Sequence, residues 1–191
     1  NYIIHESFYE NGNLWYKYYP ETHEEKYFYI TGELEKRITY HDITVFRVYY
    51  KNGKLKEKKE LKQGNGVFKT YSENGVLQES GEYKAWKKNG SFKKFYQSGK
   101  LQEIGKYEDE YIRGYIERFY ENGNIKESGY IYEWNKGEFQ KRGIFENFYE
   151  NGRLKEKGEY SHYGKKDGLF EYFSENGKLI KKENYEDGEL I

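Results

Sequence analysis

The sequence has no cysteine and no methionine, and it has a single proline among 191 residues. The absence of cysteine excludes disulfide bonds and thiolate metal sites. No stretch approaches the roughly 18 apolar residues that a membrane-spanning helix needs. Because position 1 is asparagine, we expect that a leader was removed from the chain or that the chain was trimmed.

An excess of charge of one sign is also missing. The 33 basic and 33 acidic residues give a formal net charge of zero. Nucleic-acid-binding proteins neutralise phosphates with a basic surface, and peripheral membrane proteins often carry a polybasic cluster. The sequence therefore predicts no nucleic-acid partner and argues against membrane binding.

Aromatic side chains are abundant instead. They make up 20% of the chain and charged residues make up 35%, with a mean hydropathy of −1.22. A disordered chain would lack the aromatic residues, and a compact globule of this size would carry more aliphatic residues and less charge. The composition therefore predicts rings that pack on a well-solvated scaffold with little interior.

A short phrase related to Tyr-Glu-Asn-Gly recurs along the whole chain, at separations of 20, 21, 22, 24, 24, 29 and 25 residues. Its glycines are Gly12, Gly32, Gly53, Gly75, Gly99, Gly123, Gly152 and Gly177. All eight copies have an aromatic residue four positions before the glycine and an aliphatic residue two positions after it. A fixed period of this length is typical of repeat proteins.

Each glycine is predicted to mark the turn of a β-hairpin. Asn-Gly favours a two-residue type I′ turn, because both residues tolerate positive φ. That turn pairs Tyr96 with Leu101 and Phe92 with Gly105, so that a ring lies over a bare glycine. The recurrence of such ring–glycine pairs favours the two-residue loop, and a three-residue loop with a bulge is the alternative.

The predicted fold is all-β: an elongated, twisted, single-layer antiparallel meander of about eight stacked β-hairpin repeats. We expect one repeat domain over residues 1–191. Residues 1–44 are predicted to form irregular N-terminal repeats, because they lack the glycine six positions after the turn and contain Pro20. Terminal repeats often depart from the consensus because they act as caps.

Two segments show the repeat most clearly: GSFKKFYQSGKLQEIGKY from Gly90 and GIFENFYENGRLKEKGEY from Gly143. They resemble the bacterial variant of the MORN (membrane occupation and recognition nexus) repeat. The resemblance covers almost the whole chain and implies a curved single-layer sheet of stacked hairpins. Many bacterial members are named as antitoxin components of toxin–antitoxin systems, and others are predicted to be exported or surface-associated.

No motif for catalysis, phosphate binding or metal binding is present, which predicts neither an enzyme nor a cofactor. His23 with Glu24 and Glu25 is a candidate metal site, although a solvated loop is the favoured interpretation. A column of acidic residues lies four positions after the turn glycine: Glu57, Glu79, Glu103, Glu127 and Glu156. Cross-strand charge pairing is the favoured interpretation of this column, and a row of carboxylates that binds a cation or a basic partner is the alternative.

Candidate partner-binding residues fall into two groups. The first group is aromatic and lies in connectors of variable length, where repeat proteins place specificity: Trp86, Tyr111, Trp134 and Tyr163. The second group lies three positions before the turn glycine and includes Tyr96, Tyr120 and Tyr149. The tyrosines of this second group are expected to pack against the sheet, to form exposed stacking platforms, or to do both.

The sequence favours a non-catalytic scaffold for protein–protein interaction. Within that class, the protein is expected to be a bacterial surface or host-interaction protein, or an antitoxin-like partner of a toxin. An exported or cell-surface location is favoured over a cytoplasmic one. The alternative is a carbohydrate- or cell-wall-binding module that uses an exposed tyrosine ladder.

Overall fold

A computed structural model describes residues 3–191, which form 17 β-strands. The chain divides into two compact units. The first runs up to Lys87 and includes Gln97–Gly99, and the second comprises Lys88–Tyr96 and Lys100–Ile191. Consecutive strands pair antiparallel within each unit. The predicted all-β antiparallel meander is confirmed, whereas a single domain over the whole chain stays a prediction.

The strands of the first unit are β1 (His5–Phe8), β2 (Leu14–Tyr19), β3 (Glu24–Phe28), β4 (Leu34–Thr39), β5 (Thr44–Tyr49), β6 (Leu55–Lys62), β7 (Asn65–Tyr71) and β8 (Leu77–Lys84). The following strands are β9 (Lys87–Phe95), β10 (Leu101–Glu108), β11 (Tyr111–Phe119), β12 (Ile125–Asn135), β13 (Glu138–Phe148), β14 (Leu154–Tyr160), β15 (Lys166–Phe173), β16 (Leu179–Glu186) and β17 (Glu189–Leu190). In the described part of the chain, no helix is long and apolar enough to cross a membrane.

The repeated turns are three-residue loops rather than the predicted two-residue turns. In the fourth copy, the amide of Ser72 donates to the carbonyl of Val76 at 2.9 Å, and the amide of Gly75 donates back to Ser72 at 2.8 Å. The turn glycine has φ between +78° and +99° in all eight copies. Only this third loop position needs the left-handed conformation, which glycine adopts without steric cost.

A bulge beside each loop restores the outer register. Gly105 pairs with Phe92 as predicted, but Leu101 pairs with Phe95 rather than with Tyr96. With a three-residue loop, the pair of residues next to the loop is shifted by one residue from the pair that a two-residue turn would give. The bulge adds one unpaired residue beside this pair, so all pairs farther from the loop are the predicted ones. The aromatic residue before the turn therefore faces the aliphatic residue after it in all eight hairpins.

At the edge opposite the Asn-Gly turns, the prediction of connectors of variable length is wrong. Strand β12 continues to Asn135 and β13 begins at Glu138, so the predicted connector around Trp134 is a pair of long strands. Ala85 and Trp86 form a two-residue turn in which both residues have positive φ, at 49° and 67°. The repeats therefore differ in length mainly because their strands extend to different lengths at this edge. The two-residue turns predicted at Asn-Gly occur at this edge instead.

The largest fully buried side chains lie at one position of the repeat, seven residues before the turn glycine. Phe68 is fully buried there in the first unit. In the second unit, the buried side chains at this position are Phe92, Ile116, Phe145 and Phe170. Each of these side chains lies beside a glycine of the neighbouring strand. A Cβ placed on Gly158, for example, would lie 2.3 Å from the ring of Phe170.

Tyrosine and lysine side chains pack around these buried rings. The ring of Tyr160 packs edge-on against Phe170, with centroids 5.4 Å apart. The ammonium group of Lys141 lies 4.0 Å from the ring centroid of Phe145, and that of Lys166 lies 4.4 Å from Phe170. Lysine can cover apolar surface with its methylene groups while its charge stays at the ring face and near water.

The second repeat has a carboxylate in place of the core ring. Glu25 lies seven residues before Gly32, and the hydroxyl of Tyr27 donates to it at 2.9 Å. Burial raises the pKa of the Tyr40 phenol and, together with a smaller contribution from a hydrogen bond to the Glu25 carboxylate, brings it to about 12. Burial likewise raises the pKa of Tyr27, with a smaller contribution from Glu25. This cluster therefore holds its phenols in the protonated form.

We expect the free energy of unfolding to fall as the pH rises from about 10 to about 12, because an unfolded tyrosine has a pKa near 10. Between the two pKa values, the folded state binds more protons than the unfolded state, so a rising pH favours unfolding. Urea unfolding at a series of alkaline pH values measures this slope. The variant Tyr40→Phe should show a shallower slope, and equal slopes for the two proteins would contradict the prediction.

Candidate interaction surface

The predicted tyrosine column joins successive hairpins along the Asn-Gly edge. The hydroxyl of Tyr96 donates to the carbonyl of Phe119 at 2.6 Å, and that of Tyr120 donates to Phe148 at 2.8 Å. Tyr149 makes the equivalent bond to Phe173 at 2.8 Å. Three tyrosines of the first unit repeat the pattern at distances of 2.7–2.9 Å: Tyr9, Tyr29 and Tyr50. These hydroxyls therefore support the packing interpretation, and partner binding by Tyr96, Tyr120 and Tyr149 stays a prediction.

Removal of one of these hydroxyls should weaken the sheet. We expect Tyr120→Phe to lower the free energy of unfolding by about 1 kcal/mol, the typical net contribution of a hydrogen bond. The carbonyl of Phe148 loses its phenolic donor while the ring stays in place. Chemical denaturation followed by circular dichroism measures the loss. The exposed Tyr115 provides the control, and an equal loss in Tyr115→Phe would contradict the assignment.

The acidic column forms ion pairs along the sheet. Glu103 is only 7% exposed and contacts Lys94 at 3.5 Å and Arg118 at 3.0 Å. Arg118 also pairs with Glu127, which in turn contacts Lys141 at 3.6 Å. Burial alone would lower the pKa of Arg118, but Glu103 and Glu127 outweigh it and raise the pKa. These contacts favour cross-strand pairing as the role of the column.

The candidate metal site at His23 is not assembled. Glu24 is 6% exposed and forms ion pairs with Arg37 and Lys26. Among residues 3–191, no group of three or more potential ligands could hold a metal ion.

The candidate residue Trp86 lies in the first unit and covers a neighbouring turn. A Cβ on Gly64 would lie 2.6 Å from the indole of Trp86, and the Trp86 amide donates to the Gly64 carbonyl at 3.0 Å. The side chain remains 59% exposed. Trp86 therefore contributes to packing, and partner binding by its exposed part stays a prediction.

An aromatic surface lies on the outer face of β11, β12 and β13, opposite the buried core positions. Strand alternation turns Tyr130, Tyr132 and Trp134 outward, while Ile131 between them is 4% exposed. Tyr115 pairs with Tyr130, and their rings lie 5.5 Å apart in an edge-to-face arrangement. We use the name aromatic patch for seven outward residues of this face: Arg113, Tyr115, Tyr130, Tyr132, Trp134, Arg142 and Ile144.

Two guanidinium groups contact one ring within the patch. Arg142 lies 4.1 Å and Arg113 lies 4.6 Å from the ring centroid of Tyr132, while Tyr111 lies 5.0 Å from Arg113. Among the described residues, neither arginine forms an ion pair with a carboxylate. The Nε of Arg142 is buried without a hydrogen-bond partner. The patch therefore combines aromatic area with positive charge that is not neutralised by an ion pair.

The structure brings the candidates Trp134 and Tyr163 together. Both line an open depression of about 370 Å³, together with His162, Gln140 and two patch residues, Tyr132 and Arg142. Trp134 is 46% exposed and Tyr163 is 74% exposed. A second depression of about 420 Å³ lies beside it, lined by Arg113, Tyr130 and Arg142 among others. Both depressions are large enough to receive side chains of a partner.

A buried carboxylate holds the tip of this long hairpin. Glu133 is 8% exposed and accepts hydrogen bonds from the amide of Ile112 at 2.6 Å and from that of Gly137 at 2.8 Å. The main-chain carbonyl of Glu133 accepts a hydrogen bond from the Nε of Arg113 at 3.0 Å. These bonds connect β11 to the β12–β13 turn and fix Arg113 beside Tyr132.

Comparison with known proteins decides the family. The sequence profile of the MORN repeat variant matches residues 3–19, 45–63, 65–85, 88–109, 114–131, 141–162 and 166–187. The chain belongs to the MORN repeat variant family. No curated protein matches the chain.

MORN repeats commonly serve as scaffolds for interaction with proteins or membranes, and the family is generally non-catalytic. The profile leaves residues 20–44 unmatched, and these include the repeat in which Glu25 replaces the core ring. The MORN register accounts for the core positions of the chain. The matched ranges leave out residues 132–140 at the tip of the β12–β13 hairpin, which include the patch residues Tyr132 and Trp134.

Of the seven patch residues, sequence reasoning identified only Trp134 as a candidate. It missed the other six: Arg113, Tyr115, Tyr130, Tyr132, Arg142 and Ile144. The phrase Tyr130-Ile131-Tyr132-Glu133-Trp134 did contain a usable signal. Alternating aromatic residues at every second position indicate one face of a strand. Recognition of that alternation would have placed Trp134 on a strand with Tyr130 and Tyr132.

Proposed function

We propose that this MORN repeat protein is a scaffold that binds another protein through the aromatic patch. The observation that supports the proposal is the exposure of large side chains on one face of β11, β12 and β13. Tyr130 is 56% exposed and Ile144 is 58% exposed, and Trp134 lies beside them. Soluble proteins rarely leave a contiguous cluster of this kind open unless it contacts a partner.

The composition of the patch fits a protein partner. Tryptophan, tyrosine and arginine are enriched among the residues that contribute most to protein–protein binding energy. Among residues 3–191, the guanidinium groups of Arg113 and Arg142 form no ion pair with a carboxylate, whereas those of Arg37 and Arg118 do. A partner segment that carries aspartate or glutamate would supply the missing charge, and its aromatic or aliphatic side chains would fill the depressions beside Trp134.

Two biological settings fit such a scaffold. In one, the protein is exported and contacts a host or neighbouring cell, and in the other it is an antitoxin-like partner that binds a toxin. Co-purification with the product of a neighbouring gene would favour the antitoxin role. Labelling of the protein on intact cells would favour the surface role.

The alternative partner is a glycan bound by the tyrosine column. The hydroxyls of Tyr96, Tyr120 and Tyr149 already donate to backbone carbonyls, which reduces what they can offer to a sugar. Binding to an insoluble polysaccharide that is lost when these tyrosines are changed to alanine would favour the glycan.

The experiment compares three baits in affinity capture. The first is the unchanged protein, the second carries Tyr130→Ala with Trp134→Ala, and the third carries Leu169→Ala with Ile180→Ala. Leu169 and Ile180 are 46% and 62% exposed in the same unit but lie outside the patch, so they control for a general loss of apolar surface. We expect a protein captured by the first and third baits to be lost from the second.

The recovered protein is then purified, and its dissociation constant is measured. Loss of two central aromatic residues should weaken binding by about 30-fold or more. Arg113→Gln with Arg142→Gln should weaken binding and reduce its salt dependence, whereas Lys136→Gln with Lys178→Gln should change it little. Equal capture by all three baits would contradict the assignment to the patch.

A further inference from the structure

Eight Asn-Gly pairs occur in the chain, and six of them lie in the three-residue turns. Asn-Gly is prone to a self-reaction in which the glycine amide nitrogen attacks the side-chain carbonyl carbon of asparagine. A new C–N bond closes a succinimide ring, and ammonia leaves. Water then opens the ring at one of its two carbonyl groups and gives aspartate or isoaspartate. In isoaspartate, the main chain runs through the side-chain carbon.

Hydrogen bonds hold the asparagine side chain in five of the six turns. The Oδ1 atoms of Asn11, Asn52, Asn122, Asn151 and Asn176 accept from the amide two residues later, at 2.9–3.2 Å. In addition, the Nδ2 atoms of Asn122 and Asn151 donate to carbonyls of the next turn, at 2.7 and 3.0 Å. Such bonds must break before the amide can rotate, react and lose its nitrogen.

Asn74 is the exception among the turn asparagines of the described chain, because its side chain has no hydrogen bond. Ser72 explains the difference, since its hydroxyl accepts from the amide of Val76 at 3.2 Å and takes the place that Oδ1 occupies in other turns. The last repeat also has a serine at this position, Ser174. There, the amide of Lys178 is shared between Ser174 and Asn176, and Asn176 remains bound.

We infer that Asn74 is a site of spontaneous deamidation and reacts before the other turn asparagines. The two Asn-Gly pairs outside these turns are held in strands. Asn65 at the start of β7 bonds to Gln63 and Ala85, and Gly90 after Asn89 pairs with Tyr107 in β10. Among the described Asn-Gly pairs, Asn74 alone combines a position in a turn, an exposed side chain and a side-chain amide that forms no hydrogen bond.

The reaction changes both the charge and the geometry of this turn. Either product adds a carboxylate to a turn that already contains Glu73. Isoaspartate also lengthens the main chain by one carbon inside the loop closed by the Gly75–Ser72 hydrogen bond of 2.8 Å. The modified hairpin would therefore lose its three-residue geometry, whereas the other Asn-Gly turns would keep theirs.

The test is incubation of the purified full chain in mildly alkaline buffer, with samples taken over time for peptide mapping by mass spectrometry. Each Asn-Gly site is followed in the same sample, so Asn122 and Asn151 serve as internal controls. We expect Asn74 to react about fivefold faster or more, the factor that corresponds to one hydrogen bond of typical strength. Equal or slower reaction at Asn74 would overturn the proposal.

A matched pair of variants tests the cause. Ser72→Ala frees the amide of Val76 to donate to Oδ1 of Asn74, as in the other turns, and should slow the reaction of Asn74 to the rate of Asn52, whose side chain is held by this same bond. Ser174→Ala removes the equivalent serine from the last repeat and should leave the rate at Asn74 unchanged. If Asn74 reacts as fast in Ser72→Ala as in the unchanged chain, the proposal fails.

Discussion

Replacement of Gly158 by valine should lower the free energy of unfolding by about 3 kcal/mol, at the upper end of the usual range for overpacking. A Cβ on Gly158 would lie 2.3–2.5 Å from three atoms of the Phe170 ring. Phe170 has no exposed surface, so the ring cannot move into solvent without opening the core. Gly158 is not among the residues with positive φ, so the loss would come from the collision rather than from backbone strain.

Urea unfolding followed by circular dichroism measures this loss, and hydrogen exchange of the β14 and β15 amides locates it. The control is Glu159→Val, which places the same side chain on the exposed face of the same strand and should change stability by less than about 0.5 kcal/mol. A similar loss in both variants would show that valine is unfavourable in β14 for another reason. Gly105→Val should cost about 1–3 kcal/mol, because a Cβ there would lie 3.0 Å from Phe92 and Ile116.

A double-mutant cycle separates the collision from other effects. Gly158→Ala and Phe170→Ala each destabilise the unit alone, the first by overlap and the second by leaving a cavity. In the combined variant the new methyl group occupies space that the ring has left, so the combined loss should be smaller than the sum. An additive result would mean that Gly158 and Phe170 are not in contact.

Much of this packing could be predicted from the sequence, because the repeat fixes both partners of each contact. The spacing between Phe92 and Gly105 recurs between Phe145 and Gly158, and only one outer register satisfies both. The inner register could not be obtained in the same way. A two-residue turn and a three-residue turn with a bulge give the same outer pairs, so only the turn itself distinguishes them.

The aromatic patch was less accessible to sequence reasoning. The sequence predicts Trp134 as a candidate in a connector, because the repeat pattern ends before it. Strand extension past the repeat depends on cross-strand partners such as Gln140 opposite Tyr132, which no spacing rule identifies. The contacts of Arg113 and Arg142 with Tyr132 join residues from three strands and follow only once the register is known.

Phe145→Ala should produce the second large loss, about 3–5 kcal/mol. Phe145 is 1% exposed and belongs to the buried cluster with Ile116 and Ile131, against which Tyr160 packs. Truncation would leave a cavity that the sheet cannot close, because Gly158 opposite has no side chain to move inward. The same urea unfolding experiment measures the change.

Ile144 is the matched control, because it is the preceding residue of the same strand and points to the opposite face. It is 58% exposed, so Ile144→Ala should change stability by only about 0.5 kcal/mol. The pair also separates folding from binding: Phe145→Ala should act on stability, and Ile144→Ala should weaken partner capture by a folded protein. A comparable loss of stability in the two variants would mean that β13 does not divide a buried face from an exposed one. The aromatic patch would then lose its structural basis, because its outward direction follows from that division.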